Sequence, residues 1–361
     1  MNVEVDRRDL HRTRVPRGPG VTLVDGQARL KVEHFALTSN NVSYAAFGDA
    51  LRYWDFFPAS IEGDGAEWGQ VPVWGYADVV ESQCANLALG RRVYGYFPMS
   101  DELVVEPGRF DDRGFSDMAT HRQPMAGAYN RYTFPETEPG YDAAREPHRM
   151  VLFPLFFTSF LIDDFIGDND CFGATDVVVS SASSKTAIGA ARLLSARPEL
   201  RVVGLTSRSN VDFVAGLGCY DEVVDYDSIA SVAAAVAIYV DIAGNADVRA
   251  AVHERFGADL VHSMIVGGTH WDHESDAPAP SLGANPQFFF APTQIAKRAK
   301  EWGRDGMDAR LGTAWDDYSR WTDTWMRFET RVGAAAIERT WRDLVSATID
   351  PMVGFVCRPS E

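Results

Sequence analysis

Residues Ser180 to Thr186 place five hydroxyls and one ammonium in seven positions, Ser-Ser-Ala-Ser-Ser-Lys-Thr. Donors of this density suit a phosphate group, provided the backbone presents them together. The flanking sequence predicts that presentation. Thr175-Asp176-Val177-Val178-Val179 is a short β-branched run of the kind that fills a strand buried on both faces. Beyond the polar stretch, Ile188, Ala191, Leu193 and Leu194 lie on one face of a helix that begins near Lys185. Strand, tight turn and helix aim free amides and the positive end of a helix dipole at one spot.

A second buried strand is predicted at Arg201–Thr206, the distance a βαβ crossover requires. A site for NADH normally ends this strand in a carboxylate that holds the ribose 2′-hydroxyl. Here Ser207 and Arg208 follow instead. Both accept a 2′-phosphate, so the sequence predicts NADPH over NADH. Lys185 is the leading phosphate contact, then Arg208 and Ser207, with Ser181, Ser183, Ser184 and Thr186 completing the cradle. Arg208 reads equally well as a solvated arginine at a strand end. Further strands are expected at 222–226, 237–242 and 260–266, the last ending at Gly267-Gly268-Thr269. Loops of an open α/β sheet meet their ligand at such strand ends.

Bulk properties narrow the function classes. The chain has 361 residues, 46% hydrophobic and 24% charged, enough for two cored domains. Its formal charge of −17 argues against nucleic acid or an anionic membrane as partner. The first fifteen residues carry no signal-peptide core. The longest apolar run, Val151 to Ile162, is interrupted by Pro154 and closed by Asp163 and Asp164, too short to span a bilayer. A cytoplasmic protein is expected. Cys84, Cys171, Cys219 and Cys357 form no CxxC pair and predict no disulfide frame.

Upstream, Val21–Val24 and Ala28–Phe35 flank Asp25-Gly26, a hairpin signal. Ser39, Asn40 and Asn41 offer caps to a helix over about 42–50. From Tyr53 to Trp74 the chain is rich in aromatics, which form either a satellite core or the wall of a pocket. Strands are predicted at 76–82, 92–97 and 103–106, and a mostly irregular excursion over 111–149. A buried helix over 151–166 leads into the nucleotide unit. Beyond it come helices at 293–302, 315–328 and 334–346, and a strand at 353–357. His270-Trp271-Asp272-His273-Glu274 sits between Gly267-Gly268 and Asp276-Ala277-Pro278, a loop setting that does not support a metal site.

Together these segments resemble the medium-chain dehydrogenase/reductase superfamily, in its zinc-free quinone and enoyl reductase branch. Within it, Asn40-Asn41-Val42-Ser43-Tyr44, Pro72-Val73-Trp74-Gly75-Tyr76, Gly95-Tyr96-Phe97-Pro98-Met99 and Ser181–Thr186 look like an uncharacterised subfamily. The resemblance implies an α/β protein in three parts: a GroES-like catalytic domain over 1–150, a Rossmann-like NADP-binding domain with a doubly wound parallel sheet over 151–285, and a segment over 286–361 returning to the first. It also implies a homodimer. Zinc-dependent relatives carry ligands near Asn40 and a Gly-His-Glu near Gly75. This chain has Asn41 and Gly75-Tyr76-Ala77, so no metal is expected. The superfamily usually has glycines where Ser181, Lys185 and Ala187 stand.

Such a reductase needs a pocket for an activated double bond and a group that stabilises or protonates the developing enolate. The resemblance points to Tyr44, then Tyr53, as the phenol, and to Asn40 or Asn41 as an orienting amide. Each has a plain alternative: a tyrosine packed in a core, an asparagine capping a helix. The expected function is zinc-independent, NADPH-dependent hydride transfer to an enone, quinone or related carbonyl-activated substrate of apolar or aromatic character. The competing reading is a non-catalytic ligand-binding or interaction module with a degenerate dinucleotide site.

Overall fold

The computed structural model describes residues 1–16, 20–61, 63–138, 141–266 and 282–360. It divides into two compact units, residues 1–151 with 326–361, and residues 152–325. Residues 286–325 thus cluster with the second unit, and the return to the first begins at Met326.

In chain order the first unit contributes β1 (Glu4–Asp6), β2 (Thr13–Arg14), β3 (Ala28–Leu37), α1 (Ser39–Ala46), β4 (Trp68–Gly69), β5 (Pro72–Ser82), β6 (Arg92–Pro98), β7 (Glu102–Val105), β8 (Pro107–Asp111), β9 (Gly114–Asp117) and β10 (Arg131–Thr133). Helix α2 (Glu146–Asp168) leads into β11 (Asp176–Val179), α3 (Lys185–Leu194), β12 (Arg201–Thr206), α4 (Val211–Gly216), β13 (Glu222–Asp225), β14 (Ala237–Asp241), α5 (Ala246–Phe256), β15 (Leu260–Ile265), β16 (Pro286–Phe288) and α6 (Ala291–Thr322). The chain closes with β17 (Arg327–Val332), α7 (Ala334–Val345) and β18 (Val353–Arg358).

The first unit is built on a nine-stranded sheet of order β17-β18-β3-β5-β6-β10-β9-β8, with β7 also on β3. The second is a six-stranded sheet, β13-β12-β11-β14-β15-β16, in which every pairing is parallel. Strand order reverses between β11 and β14, and ligands of open α/β sheets bind at such a switch point. Alternation along β11 shows why it is apolar throughout. Val177 and Val179 pack with Ile188, Ala191 and Leu194 of α3 and Ile162 and Ile166 of α2, while Val178 packs with Val248 and Val252 of α5. The GroES-like plus Rossmann-like architecture expected from sequence is the one observed.

Several local expectations are corrected. No strand forms at Val21–Val24, because the start of β3 is already paired with β5 on one edge and β7 on the other. The 111–149 excursion holds the antiparallel pair β9 and β10, with Phe115 stacked on Tyr132 at 5.3 Å. Gly114 is required there: at φ +151° a Cβ would stand 2.0 Å from the Tyr132 carbonyl oxygen. Helix α1 starts and ends earlier than predicted, at Ser39 and Ala46. The helix predicted to reach Phe328 stops at Thr322, as the end of one long α6 broken at Gly303, where φ is 67°. Phe328 lies instead in β17, paired in parallel with β18. Helix α2 begins at Glu146, and over Ala143–Asp168 the chain is long and apolar enough to cross a membrane, with a mean hydropathy of 1.7. Ile162 and Ile166 bury part of that apolar surface in the core of the second unit.

Candidate nucleotide site and aromatic cluster

In the second unit β11 runs directly into the hydroxyl-rich turn. Ser180 is fully buried and staples the switch point: its Oγ donates to Asp241 Oδ1 at 3.0 Å and accepts the Ile242 and Ala243 amides, each at 3.0 Å. Ser181 takes φ +52°, the left-handed conformation that glycine adopts most readily. Its carbonyl accepts the Ser184 amide at 2.7 Å, which closes the turn. Ser184 then caps α3, its Oγ accepting from the Ala187 amide at 3.3 Å. Lys185 and Thr186 form the first turn of the helix, whose leading amides have no intrahelical acceptor.

The end of β12 lies alongside. Asn210 Nδ2 donates to Ser183 Oγ at 3.1 Å and to Ser207 Oγ at 3.0 Å, tying the two strand ends together. Arg208 is 76% exposed, with Nε 3.4 Å from Asp225 Oδ2 and Nη2 3.8 Å from Asp227 Oδ2. Gly204 lets Tyr220 lie against β12, since a Cβ there would stand 2.8 Å from the ring and 3.0 Å from the Ala182 Cβ. The Tyr220 hydroxyl donates to the Ala182 carbonyl at 2.9 Å.

The structure therefore brings Ser181, Ser183, Ser184, Lys185, Thr186, Ser207 and Arg208 to the C-terminal ends of two adjacent strands. Gly267 and the His270–Glu274 segment lie outside the described residues. Three neighbours were not anticipated from sequence: Asn210, Asp225 and Tyr226. The Tyr226 hydroxyl accepts the Ser181 amide at 3.1 Å, and burial raises its pKa to about 12. The signal was the Asp-Tyr-Asp at the end of the third strand, whose partners Arg208 and Ser181 belong to other strand ends. The donor set of hydroxyls, cations and helix-end amides fits a phosphorylated dinucleotide. Ser181 closes the turn in a left-handed backbone conformation without a glycine. Among the described residues no cluster of His, Cys, Asp and Glu could hold a metal ion.

In the first unit Tyr44 is buried, its ring 4.4 Å from Tyr53 and 5.9 Å from Tyr96. Phe56, Phe57, Trp74, Leu103, Met125 and Tyr129 complete this cluster. Burial, then the neighbouring Tyr129, push the Tyr44 phenol well above its ordinary pKa against the pull of Trp74, Asn40 and Tyr96; Tyr53 moves the same way, again mainly by burial. Asn41 is engaged structurally: its Oδ1 accepts from the Thr38 amide at 2.8 Å and its Nδ2 donates to the Pro72 carbonyl at 2.8 Å. That joins α1 to β5. Phe57 and Leu103 belong to the cluster and also line a cleft of about 840 Å³, beside Arg122 and Asp117.

Register explains how the cluster continues along the sheet. Trp74 faces Tyr96 and Tyr76 faces Tyr94 across β5 and β6, and His34 of β3 faces Tyr76. The Tyr76 and Tyr94 hydroxyls are buried without a hydrogen-bond partner among the described residues. Native proteins rarely leave such groups unsatisfied, so this face is suited to ordered water or a polar ligand. At its end Glu146 accepts from Arg92 Nε and Nη2, both at 2.7 Å, with His34 Nε2 at 2.8 Å and the Tyr141 hydroxyl also against it. Burial alone would raise the Glu146 carboxyl, yet these partners hold it down to about 2.

A β-rich unit beside a six-stranded doubly wound sheet is a fold this chain shares with solved structures of oxidoreductases. Among solved structures similar to this chain is CurA from Vibrio vulnificus in complex with NADPH, with 13% identity, 97% of this chain and 94% of that one covered, and a TM-score of 0.61. Escherichia coli K-12 YhdH with bound NADPH shares 13% identity over 100% of both chains at a TM-score of 0.58. A mutant enoyl thioester reductase from Candida tropicalis shares 10% over 99% and 98%, at 0.57. At these identities the likeness is one of fold. By sequence the chain belongs to the family described as protein of unknown function DUF2855, whose model matches residues 35–350. No curated protein matches it.

Proposed function

We propose that the chain is a zinc-independent oxidoreductase that uses NADPH to reduce an enone, quinone or related carbonyl-activated substrate. The observation that carries this reading is the Ser181–Thr186 turn at the N-terminus of α3, beside a β12 that is followed by Ser207-Arg208 and not by a carboxylate. The NADPH-bound structures of CurA and YhdH share this fold and support the cofactor assignment. When bound, NADPH supplies the hydride. The α3 amides, Ser183, Ser184 and Lys185 hold the pyrophosphate, and Ser207 with Arg208 hold the 2′-phosphate.

Tyr44 keeps its phenolic proton throughout the neutral range, because burial opposes the phenolate. It acts as a hydrogen-bond and proton donor to a carbonyl oxygen, with Tyr53 as its ring neighbour. Apolar rings around it favour a substrate with aromatic or apolar surface. Four free cysteines accord with a reducing cytoplasm. The exposed Phe288 of the edge strand β16 and Phe290 just before α6, 67% and 59% accessible, support pairing with a second copy of the chain.

Titration with NADPH and NADH tests the reading. Micromolar NADPH binding, weakened about tenfold by Arg208→Ala with little change for NADH, is expected from loss of one charge-assisted contact. Enones and quinones are then screened for cofactor oxidation. Binding of neither dinucleotide would leave the chain as a binding module.

A further inference from the structure

The turn after β13 brings carboxylates to the same guanidinium that the dinucleotide reading assigns to the 2′-phosphate. Asp225 ends β13, and Asp227 stands on the 3-10 turn Tyr226–Ser231 that follows. Tyr226, between them, is anchored by the hydrogen bond it accepts from the Ser181 amide at 3.1 Å. The anchor fixes the turn over the nucleotide loop, and its flanking carboxylates meet Arg208 at 3.4 and 3.8 Å.

We infer that Asp225 and Asp227 set cofactor selectivity, by competing with a 2′-phosphate for Arg208 while leaving the 2′-hydroxyl of NADH unopposed. This rests on the dinucleotide reading above and adds to it a built-in brake on NADPH preference. A 2′-phosphate carries close to two negative charges at neutral pH and approaches a guanidinium already flanked by two carboxylates. NADH brings no charge there, and a carboxylate can accept a hydrogen bond from its ribose hydroxyl. The site therefore accepts both cofactors with a muted preference. Contact with Ser228, and then Arg208, holds the Asp225 carboxyl below its usual pKa, so it is ionised at any pH where the cofactor is stable.

The experiment compares the full-length wild type, Asp227→Asn and Asp225→Asn/Asp227→Asn by calorimetric titration with NADPH, NADH and adenosine 2′,5′-bisphosphate. Two unit charges a few ångströms from the phosphate in a water-like dielectric are worth about tenfold between them. The double variant is expected to bind NADPH and the bisphosphate about tenfold tighter and Asp227→Asn about threefold, with NADH unchanged or weaker and the gain shrinking in added salt. Asp227 is 87% exposed, so its substitution leaves the fold intact even if that of Asp225 does not. Wild-type NADPH binding that is unchanged or weakened in both variants, or NADH tightening in parallel, overturns the selectivity role while the dinucleotide reading stands. Binding of no dinucleotide by any of the three proteins removes that reading and this inference with it.

Discussion

Replacing Glu146 by glutamine isolates the charged end of the first unit's sheet. The carboxylate is 3% exposed, bridged by both arms of Arg92 and backed by His34 and Tyr141. Its carboxyl sits near 2 against an ordinary value of 4.5. At ~1.36 kcal/mol per pH unit that gap is worth about 3 kcal/mol of folding stability. Because the folded pKa is depressed, the contribution is complete above about pH 4.5 and is lost as pH falls towards 2. Glutamine removes it without stranding the guanidinium, since Arg92 keeps Glu33 at 2.7 Å and Asp78 at 3.2 Å. Urea unfolding followed by circular dichroism at pH 7, 5, 4 and 3 should show the variant about 3 kcal/mol less stable at pH 7, with the difference closing at acid pH. A cost below about 1 kcal/mol at pH 7, or a difference that stays constant with pH, would refute the argument that the charged contact supplies this stability.

Other substitutions probe the second unit. Gly204→Ala forces a methyl against Tyr220 and Ala182 inside a buried strand and should cost about 1–3 kcal/mol, read from the thermal midpoint. Ser180→Ala removes the donor to Asp241 and the acceptor for two buried amides; a loss of about 1–3 kcal/mol is expected, together with weaker NADPH binding in the same calorimetric assay. If the proposed pairing through β16 holds, Phe288→Asp with Phe290→Asp converts the wild-type dimer to monomer in sedimentation velocity while leaving the melting profile of each unit recognisable.

What could be read from sequence was what is decided locally. The β11-α3-β12 unit shows itself because a β-branched run, a serine cap and an apolar helix stripe all lie within thirty-one residues, 176–206. Strands β9 and β10 stayed hidden because their pairing depends on Gly114 and on rings at 115 and 132, not on alternation. Val21–Val24 alternates well but finds no free edge on β3. Tyr44 and Arg208 were nameable from position, whereas Asp225 and Tyr226 act only through partners that the fold supplies. Asn41 illustrates the reverse case: a candidate for orienting substrate, it is committed to Thr38 and Pro72.

Strand β18 lies between β3 and β17, so residues 353–358 complete a sheet that residues 28–37 began. Residues 152–325, by contrast, are continuous. On the ribosome the six-stranded parallel sheet can therefore close while one edge of β3 still waits for a partner. A strand made before the second unit is thus completed only after it, and that open edge is a place for a holding chaperone or a misplaced neighbouring strand to attach. A nonsense mutation shortly before Val353 would accordingly leave a folded second unit tethered to an aggregation-prone first one.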